Sequence, residues 1–352
     1  MLHATPSVLF RVLGGTGSLG SVLSTRLSPS SVLTRRHDVT KVVEVNLKMS
    51  DSSGQDLNRV LDVEGDKSGM KGVVICTLKG YDVNGGLEAL VEECLEKVGE
   101  RGYEDGFTVV MLSNGLLAVY DELVGKGYLK GRGSPVDAIS LGSTSIGATK
   151  LSDTKEGETR RIEVLQTGWG DTVLGTPVWV KQGIDAARCE GEIKDLAGAM
   201  VDAGFPTRVV GRGGEGDIWT VLWMKLCVNC LINPIAAVEG VTNEHVPGLL
   251  GEGEGSLRDR VVGELVEVGN ADLIKRGSDF RLERGKVVEG MMRVVENTMN
   301  NRNSMLQDVE KGRRTEIDTL NGWVVRRGEE EGIACDGNRW LWEEIKRIEG
   351  GG

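Results

Sequence analysis

The chain has 352 residues, 39% hydrophobic and 27% charged, which is the composition of a soluble globular protein long enough for about two domains. Its formal net charge of −11, without a sustained basic run, argues against nucleic acid or an anionic membrane as a partner. No apolar run approaches the ~18 residues of a membrane span, and no cleaved targeting peptide is expected at the N-terminus. These features favour a cytoplasmic protein.

The cysteines and histidines do not form a recognisable framework. Cys227 and Cys230 make a C-x-x-C, but it lies in an apolar helix without a second pair, so we expect buried free thiols there. None of the three histidines clusters with cysteines or carboxylates at ligand spacing. The sequence therefore predicts neither disulfides nor a metal site.

A glycine-rich turn lies between a predicted strand, Ser7–Leu13, and a predicted helix, Ser21–Leu27. Its glycines match G-x-G-x-x-G in the strand–turn–helix context that gives this motif meaning. Glycine allows the tight turn, the approach of a pyrophosphate and close packing, while free N–H groups at the helix start bind phosphate. An ordinary glycine turn is the alternative. We predict a dinucleotide site formed by Gly15, Thr16, Gly17, Ser18, Leu19 and Gly20.

A second short predicted strand, Ser31–Arg36, ends in two arginines and no acidic residue. In dinucleotide-binding folds an acidic residue at this point binds the ribose 2′-hydroxyl, whereas an arginine accommodates a 2′-phosphate. Arg35 and Arg36 therefore favour NADPH over NADH, and we assign Arg35 to the cofactor. A solvated charge pair is the alternative for either arginine.

Further strands alternate with helices along the first half, which indicates a parallel α/β sheet. Ligands bind at the carboxyl ends of the strands in such sheets, and Lys79 and Asn114 stand at two of those ends. Either one alone could be an ordinary loop residue. The predicted strands are Val73–Leu78, Thr108–Leu112, Asp137–Ser145, Glu163–Gly168 and Thr207–Val210, and the predicted helices are Gly86–Val98 and Asp185–Ala203.

A glycine-rich segment, Gly211–Gly216, is the best candidate linker. We therefore predict an α/β, Rossmann-type dinucleotide-binding domain over residues 1–212, followed by an all-α domain over residues 213–352. The predicted helices of the second domain are Ile218–Cys230, Leu257–Lys275, Lys286–Asn300, Asn303–Glu310 and Glu316–Arg327.

The first of these helices carries a polar stripe on an otherwise apolar surface. Lys225, Asn229 and Asn233 are spaced i, i+4 and i+8, which places them on one helix face. A buried polar group without a partner costs about 1–3 kcal/mol, so these side chains need partners. The stripe is either a structural contact with another helix or the wall of a pocket whose lysine donates a proton.

A second polar constellation lies between Asn300 and Asp318. Gly312 should end one helix, and Thr315 with Asp318 fits the N-cap of the next. Glu316 would then lie in the first turn, where the helix dipole favours a carboxylate by roughly 0.3–1 kcal/mol. A well-capped helix explains this pattern without any function.

Together the two constellations resemble the ketopantoate reductase (2-dehydropantoate 2-reductase) family. The resemblance is carried by Trp-x-Lys-x3-Asn-x3-Asn-Pro at Trp223–Pro234 and by Asn-Ser-Met-Leu-Gln-Asp and Thr-Glu-Ile-Asp within Asn303–Asp318. It implies a two-domain NADPH-dependent reductase with its active site in the cleft between a Rossmann domain and a helical domain.

The resemblance also implies roles for individual residues. Lys225 corresponds to the catalytic lysine that protonates the ketone oxygen, and Glu316 to the acidic residue that binds the substrate hydroxyl. Ser304 corresponds to the serine that binds the substrate carboxylate, and the amides of the substrate pocket are Asn229, Asn233 and Asn243. The residues near the nicotinamide end of the cofactor are Lys79, Asn114 and Asn301.

The leading hypothesis is therefore NADPH-dependent reduction of 2-dehydropantoate to pantoate, in pantothenate and coenzyme A biosynthesis. The alternatives are reduction of a different 2-keto acid and a non-catalytic NADPH-binding regulatory protein. A sensor would need no proton donor, so Lys225, Glu316 and Ser304 together argue against it. The expected partner is a small 2-keto acid, and the helical half could carry a homodimer interface.

Overall fold

The computed structural model describes residues 10–15, 17–27, 30–33, 42–49, 56–62, 71–98, 106–126, 134–211 and 216–350. The chain divides into two compact units. The first comprises Met1–Ser113 and Tyr120–Gly211, and the second comprises Asn114–Val119 and Arg212–Gly352.

The first unit alternates strands and helices, as the sequence predicts. Its strands are β1 (Phe10–Leu13), β2 (Ser30–Leu33), β3 (Val42–Met49), β4 (Leu57–Asp62), β5 (Gly72–Cys76), β6 (Phe107–Met111), β7 (Val136–Thr144), β8 (Gly147–Glu156), β9 (Thr159–Gly168), β10 (Thr172–Gly175), β11 (Trp179–Val180) and β12 (Thr207–Val210). The helices that precede β12 are α1 (Ser18–Arg26), α2 (Gly80–Val98), α3 (Leu116–Lys126) and α4 (Ala186–Asp202).

The main sheet has the strand order β12-β10-β7-β6-β5-β1-β2, with β11 beside β7. The five strands from β2 to β7 in that order are parallel, whereas β10 and β11 run antiparallel to β7. Its central strands are buried along their length, which explains their continuous apolar runs. The carboxyl ends of β1, β5 and β6 therefore lie along one edge.

A second sheet, β4-β3-β9-β8, was not predicted. The predicted strand Glu163–Gly168 is present as part of β9, which pairs with β3 and β8 in this second sheet. β3 alternates buried and half-buried residues, with Val43, Val45 and Leu47 facing the core. α1 joins the same hydrophobic core through Val22 and Leu23, so the second sheet supports the helix that follows the glycine turn.

All regular elements among residues 216–350 are helices, so the predicted α/β part followed by an all-α part is confirmed. The six cysteines are free and buried, among them Cys227 and Cys230, for which buried thiols were expected. The helices of this unit are α5 (Ile218–Glu239), α6 (Val246–Leu250), α7 (Leu257–Lys275), α8 (Arg284–Asn297), α9 (Ser304–Glu310), α10 (Asn321–Glu331) and α11 (Asp336–Gly350).

The segment after Gly312 differs from its prediction. No α-helix begins at Glu316; a single 3-10 turn spans Ile317–Thr319, and α10 starts at Asn321. Thr315 does not cap an α-helix, since its hydroxyl donates to Glu349 Oε1 at 2.7 Å and accepts only a 3.3 Å contact from the Ile317 N–H. Glu316 is consequently held on a tight turn and not on a helix.

α5 runs nine residues past the predicted end at Cys230 and contains Pro234. By length and composition α5 is apolar enough to cross a membrane, although the sequence analysis expected no apolar run of that length. In the structure, however, 72% of its most apolar 18-residue stretch is buried inside the folded unit. Asp217 caps its first turn by accepting from the Thr220 N–H at 2.8 Å. α5 is thus a core helix around which the other helices pack.

A buried carboxylate fixes the rotation of α5. Trp223, fully buried, donates its indole N–H to Asp272 Oδ2 at 2.8 Å. Asp272 is itself inaccessible to solvent and is paired with Arg276 at 2.6 Å and Arg327 at 2.5 Å. Because a buried charge needs such partners, this network holds Trp223 in one orientation, two residues before Lys225.

Candidate active site

Lys225 lies on α5 in a half-buried position. Removal from water disfavours its charged form and lowers the pKa of the ammonium group to about 8, while the nearby carboxylate of Glu316 acts in the opposite direction. Because this pKa is below the value of 10.5 for an exposed lysine, the charged form costs stability below about pH 8, and that cost disappears as the pH rises toward 10.5. A lysine with this pKa can both hold and release a proton near neutral pH.

Glu316 is buried, with 5% of its surface exposed, and it faces an amide as well as the lysine. Asn114 Nδ2 donates to Glu316 Oε2 at 3.1 Å, and Asn114 belongs to the same unit as Glu316. The turn is fixed at both ends: Thr315 N donates to Glu349 at 2.7 Å, and Thr319 Oγ1 donates to the Glu316 carbonyl at 3.0 Å. Lys225, Glu316 and Asn114 therefore form one cluster, which we call the lysine cluster.

Gly115 allows Asn114 to reach this cluster. Its φ is +64°, a left-handed conformation that favours glycine, and a Cβ there would lie 2.5 Å from Thr319 Oγ1. The Asn114–Gly115 pair thus sits directly against the turn that carries Glu316.

The two other stripe residues continue along α5 from Lys225. Asn229 is half-buried, and Asn233 is 8% exposed one turn further on. Their spacing of four residues keeps them on the face that carries Lys225. They remain predicted substrate-binding residues.

The remaining predicted amides form a separate group. Asn243 Nδ2 donates to Thr298 Oγ1 at 2.9 Å, and Asn243 Oδ1 accepts from Asn303 Nδ2 at 3.2 Å. The Asn243 N–H donates to the Asn301 carbonyl at 3.1 Å, and the Asn301 side chain is exposed. Both ends of the Asn243 amide are therefore engaged in joining two loops, which gives it a structural task whatever it binds.

Ser304 is the exposed first residue of α9. Its neighbour Asn303, which the sequence interpretation did not single out, is the N-cap and accepts from the Leu306 N–H at 3.1 Å. The signal was available, because asparagine before an apolar run is a typical N-cap. Asn303 thereby leaves the Ser304 hydroxyl at the exposed start of a helix, where an anion is favoured.

The glycine turn of the first unit leads directly into α1. Gly14 takes φ +89°, and its carbonyl accepts from the Gly17 N–H at 2.8 Å. Gly17 is the N-cap of α1, so the backbone turns directly into the helix at Ser18 and Leu19. The residue that needs glycine for its φ is Gly14, which the motif assignment from Gly15 to Gly20 did not include.

Gly20 is required for packing. A Cβ there would overlap the Gly14 carbonyl oxygen and lie 2.7 Å from Thr77 Oγ1. Thr77 Oγ1 in turn donates to the Leu13 carbonyl at 3.3 Å, which ties β5 to the end of β1. Gly14 allows the tight turn and Gly20 allows close packing of helix and strand, which are two tasks that glycine has in a dinucleotide-binding turn.

Gly20→Ala should displace the turn, because the added methyl group has no space against backbone atoms. We expect the dissociation constant for NADPH, measured by fluorescence titration, to rise at least about tenfold, the loss of about one hydrogen bond to a charged group. Gly85→Ala is the matched control, since a Cβ at Gly85 meets no atom within 4 Å. Equal affinity in the two variants would contradict the assignment of the cofactor site to this turn.

Two predicted cofactor residues, Thr16 and Arg35, lie outside the described residues, as does Arg36. Lys79 is half-buried at the carboxyl end of β5, beside the start of α2. Among the described residues no three histidine, cysteine, aspartate or glutamate side chains are placed to hold a metal ion.

Comparison with known families agrees with this geometry. Residues 217–349 match the family model described as ketopantoate reductase PanE/ApbA C terminal. This part of the chain is similar to the C-terminal domain of ketopantoate reductases. The resemblance inferred from Trp223–Pro234 and Asn303–Asp318 is thus confirmed, and the family is one of oxidoreductases.

Several curated relatives are named 2-dehydropantoate 2-reductase. One from Archaeoglobus fulgidus is 34% identical over 167 residues, covering 47% of this chain and 50% of that protein. The chain thus spans about half the length of this relative, and 42% of one from Vibrio cholerae at 35% identity. One from Halobacterium salinarum is 29% identical and aligns over 95% of this chain and 97% of its own length.

Solved structures show the same fold. A PanE/ApbA family ketopantoate reductase from Ralstonia eutropha JMP134 has a TM-score of 0.68 at 21% identity, covering 97% of this chain and 99% of that one. D-mandelate dehydrogenase, solved with NADH and anilino(oxo)acetate, has a TM-score of 0.69 at 19% identity, covering 97% of this chain and 98% of that one.

Proposed function

We propose that the chain reduces 2-dehydropantoate to pantoate with NADPH, serving pantothenate and coenzyme A biosynthesis in the cytoplasm. The observation that carries the proposal is the lysine cluster, in which an ammonium group with a pKa of about 8 lies near the buried carboxylate of Glu316. Relatives named 2-dehydropantoate 2-reductase support the choice of substrate.

The residue chemistry fits reduction of a ketone. Reduction of a 2-keto acid builds negative charge on the carbonyl oxygen, and a nearby ammonium group stabilises that charge and donates a proton to it. Lys225 Nζ takes this role, and Glu316 accepts a hydrogen bond from the substrate hydroxyl. Ser304 and the amides of Asn229 and Asn233 are assigned to the remaining polar groups of the substrate.

NADPH, when bound, supplies the hydride, and the protein positions and polarises the ketone. The tight turn at Gly14 and Gly17 and the close packing at Gly20 support the proposed binding of the cofactor phosphates there. The assignment of NADPH over NADH depends on Arg35, and that of Lys79, Asn114 and Asn301 to the nicotinamide end depends on the family resemblance.

A different 2-keto acid is the second candidate substrate. The fold is shared with D-mandelate dehydrogenase, whose solved complex contains NADH and anilino(oxo)acetate. Because of this similarity, the assays include a bulkier 2-keto acid as substrate and NADH as cofactor. A non-catalytic NADPH-binding regulatory protein is the third reading, and it requires cofactor binding with no turnover on any keto acid.

The assembly we propose is a homodimer of the whole chain. A dimeric ketopantoate reductase from Staphylococcus aureus shares the fold at a TM-score of 0.60 and 14% identity. Sedimentation equilibrium of the purified protein distinguishes one copy from two.

The pH dependence of reduction should follow the protonation of Lys225. Since the reaction needs the ammonium form, kcat/KM should be level at neutral pH and fall about tenfold per pH unit above a midpoint near 8. The reverse oxidation of pantoate needs the free amine and should rise through the same midpoint. A reduction rate that is constant up to pH 10 would show that Lys225 is not the proton donor.

A further inference from the structure

Pro234 creates a break in the hydrogen bonding of α5. Proline has no N–H, so the carbonyl of Cys230, four residues earlier, loses its helical partner. Asn321, the first residue of α10, replaces that partner: its Nδ2 donates to the Cys230 carbonyl oxygen at 3.1 Å. Asn321 is completely buried, so this bond is shielded from water.

Asn321 is itself held from the other side. Its Nδ2 also donates to Asn338 Oδ1 at 3.0 Å. Asn338, equally buried, donates from its side chain and its backbone to Glu264 Oε2 at 2.8 and 2.9 Å. The Gly337 N–H donates to the other oxygen of Glu264 at 2.8 Å. A carboxylate on α7 thus anchors a chain of hydrogen bonds that ends on α5.

The orientation of the Asn321 amide is determined by its neighbours. Both groups that it faces are acceptors, a backbone carbonyl and the Asn338 side-chain oxygen, so the NH2 group must point toward them. Its Oδ1 is buried without a hydrogen-bond partner among the described residues. The two donated bonds, one of them to the Cys230 carbonyl, therefore offset the cost of an unpaired acceptor.

The bond joins the element that carries Lys225 to the one that follows Glu316. Cys230 follows Lys225 by five residues on α5, and Asn321 follows Glu316 by five residues across the 3-10 turn. Trp223 and Trp323 also pack between α5 and α10, with ring centroids 5.4 Å apart. Packed rings resist separation but tolerate sliding, whereas a directional hydrogen bond fixes the register of the two elements.

We propose that Asn321 is a positioning residue that fixes Lys225 relative to Glu316 by bonding the carbonyl that Pro234 leaves free. This inference rests on the proposed function for its kinetic consequences. The placement of the Lys225 ammonium group can be measured without turnover, by titration of that group.

The test compares Asn321→Leu with Asn270→Leu. Asn270 is the matched control, because its amide also makes two hydrogen bonds, at 3.1 and 2.7 Å, to the backbone of Leu282 within the same unit. We expect Asn321→Leu to lower kcat for ketopantoate about tenfold or more, since small misplacements of catalytic groups have effects of that size. The KM for NADPH should not change, and Asn270→Leu should retain the wild-type kcat.

The second readout is the titration of Lys225 by NMR of protein labelled at lysine Cε, with the signal assigned through Lys225→Arg. Loosening the register admits water, and since burial is the main cause of the low pKa, the midpoint should rise in Asn321→Leu and not in Asn270→Leu. An unchanged midpoint together with an unchanged kcat would overturn the proposal and leave Asn321 with a purely stabilising role.

A double variant separates positioning from stability. Pro234→Ala restores an N–H to the Cys230 carbonyl, so Pro234→Ala/Asn321→Leu should melt at a higher temperature than Asn321→Leu. If Asn321→Leu does not fold, the double variant takes its place in the kinetic test. Because the link to α10 is still missing, turnover should stay low. Recovery of turnover in the double variant would overturn the proposal.

The proposed function and the positioning role fail in different ways. A wild-type protein without ketopantoate turnover, but with a Lys225 midpoint that shifts in Asn321→Leu, overturns only the substrate assignment. A wild-type protein with full turnover, with kcat and the Lys225 midpoint both unchanged in Asn321→Leu, overturns only the positioning role.

Discussion

Lys225→Ala should lose turnover by about 10²–10⁴-fold while NADPH binding is unchanged, because a positioned general acid contributes a factor of that size. The loss should appear in kcat and in kcat/KM alike, since the proton is delivered only in the transition state. Stopped-flow NADPH oxidation gives the rate, and fluorescence titration gives the cofactor affinity. Removing a lysine that is costly to bury should not lower the melting temperature.

Two companion variants sharpen that measurement. Lys225→Arg keeps the positive charge but cannot release a proton near neutral pH, so it should remain nearly as slow as the alanine variant. Lys286→Ala removes a lysine whose side chain is 48% exposed on α8 and should be fully active. A Lys225→Arg variant with wild-type turnover would show that the charge alone suffices and that proton transfer comes from elsewhere.

Glu316→Gln should lower kcat/KM by about 10–100-fold, the range for losing a hydrogen bond to a charged group. It should also move the pH midpoint of reduction below 8, because the carboxylate raises the pKa of Lys225 and an amide does not. The direction of the shift in the pH midpoint decides the role of Glu316. A carboxylate with no electrostatic influence on Lys225 would leave the midpoint unchanged.

The control for this variant is Glu296→Gln, an exposed position on α8. It removes the same charge from the same unit without touching the lysine cluster. A full pH profile of kcat/KM for wild type and both variants is the measurement. A midpoint that shifts upward in Glu316→Gln would contradict the assigned role of the carboxylate.

Periodicity and turn residues predicted most of the helical half. Leu257–Lys275 was predicted with the observed bounds, because its apolar spacing and its N-cap, Ser256, are local signals. The end of α5 was placed too early because Pro234 ordinarily ends a helix. The helix continues because Asn321 supplies the donor that Pro234 lacks, by bonding the Cys230 carbonyl. Asn321 lies ninety-one residues after Cys230 along the chain, so no local pattern reveals this partner.

The second sheet was missed although β3 carried a readable signal. Val43, Val45 and Leu47 alternate with polar residues, which is the period-two pattern of a half-buried strand. Its pairing with β9, more than a hundred residues later, decides which sheet β9 joins, and register between distant strands is not encoded locally.

The candidate site was recognisable mainly where short motifs carry it. Lys225 was singled out by the polar stripe and Glu316 by the turn pattern, and the family resemblance supplied their roles. The structure brings the two together with Asn114. That Glu316 lies on a 3-10 turn held by Glu349 was not predictable, because the anchoring contact comes from α11 at the end of the chain. The role of Gly14 was not predicted, because G-x-G-x-x-G matches only Gly15, Gly17 and Gly20, and the motif does not reveal the positive φ of the glycine before it.

The most direct test of the account is NADPH oxidation by the purified protein with ketopantoate, beside NADH and a panel of other 2-keto acids. We predict rapid turnover with ketopantoate and NADPH, and slower turnover with every other pair. Activity on another 2-keto acid alone would retain the role of Lys225 and reject the substrate. NADPH binding with no turnover on any keto acid would contradict the catalytic account and favour a regulatory protein.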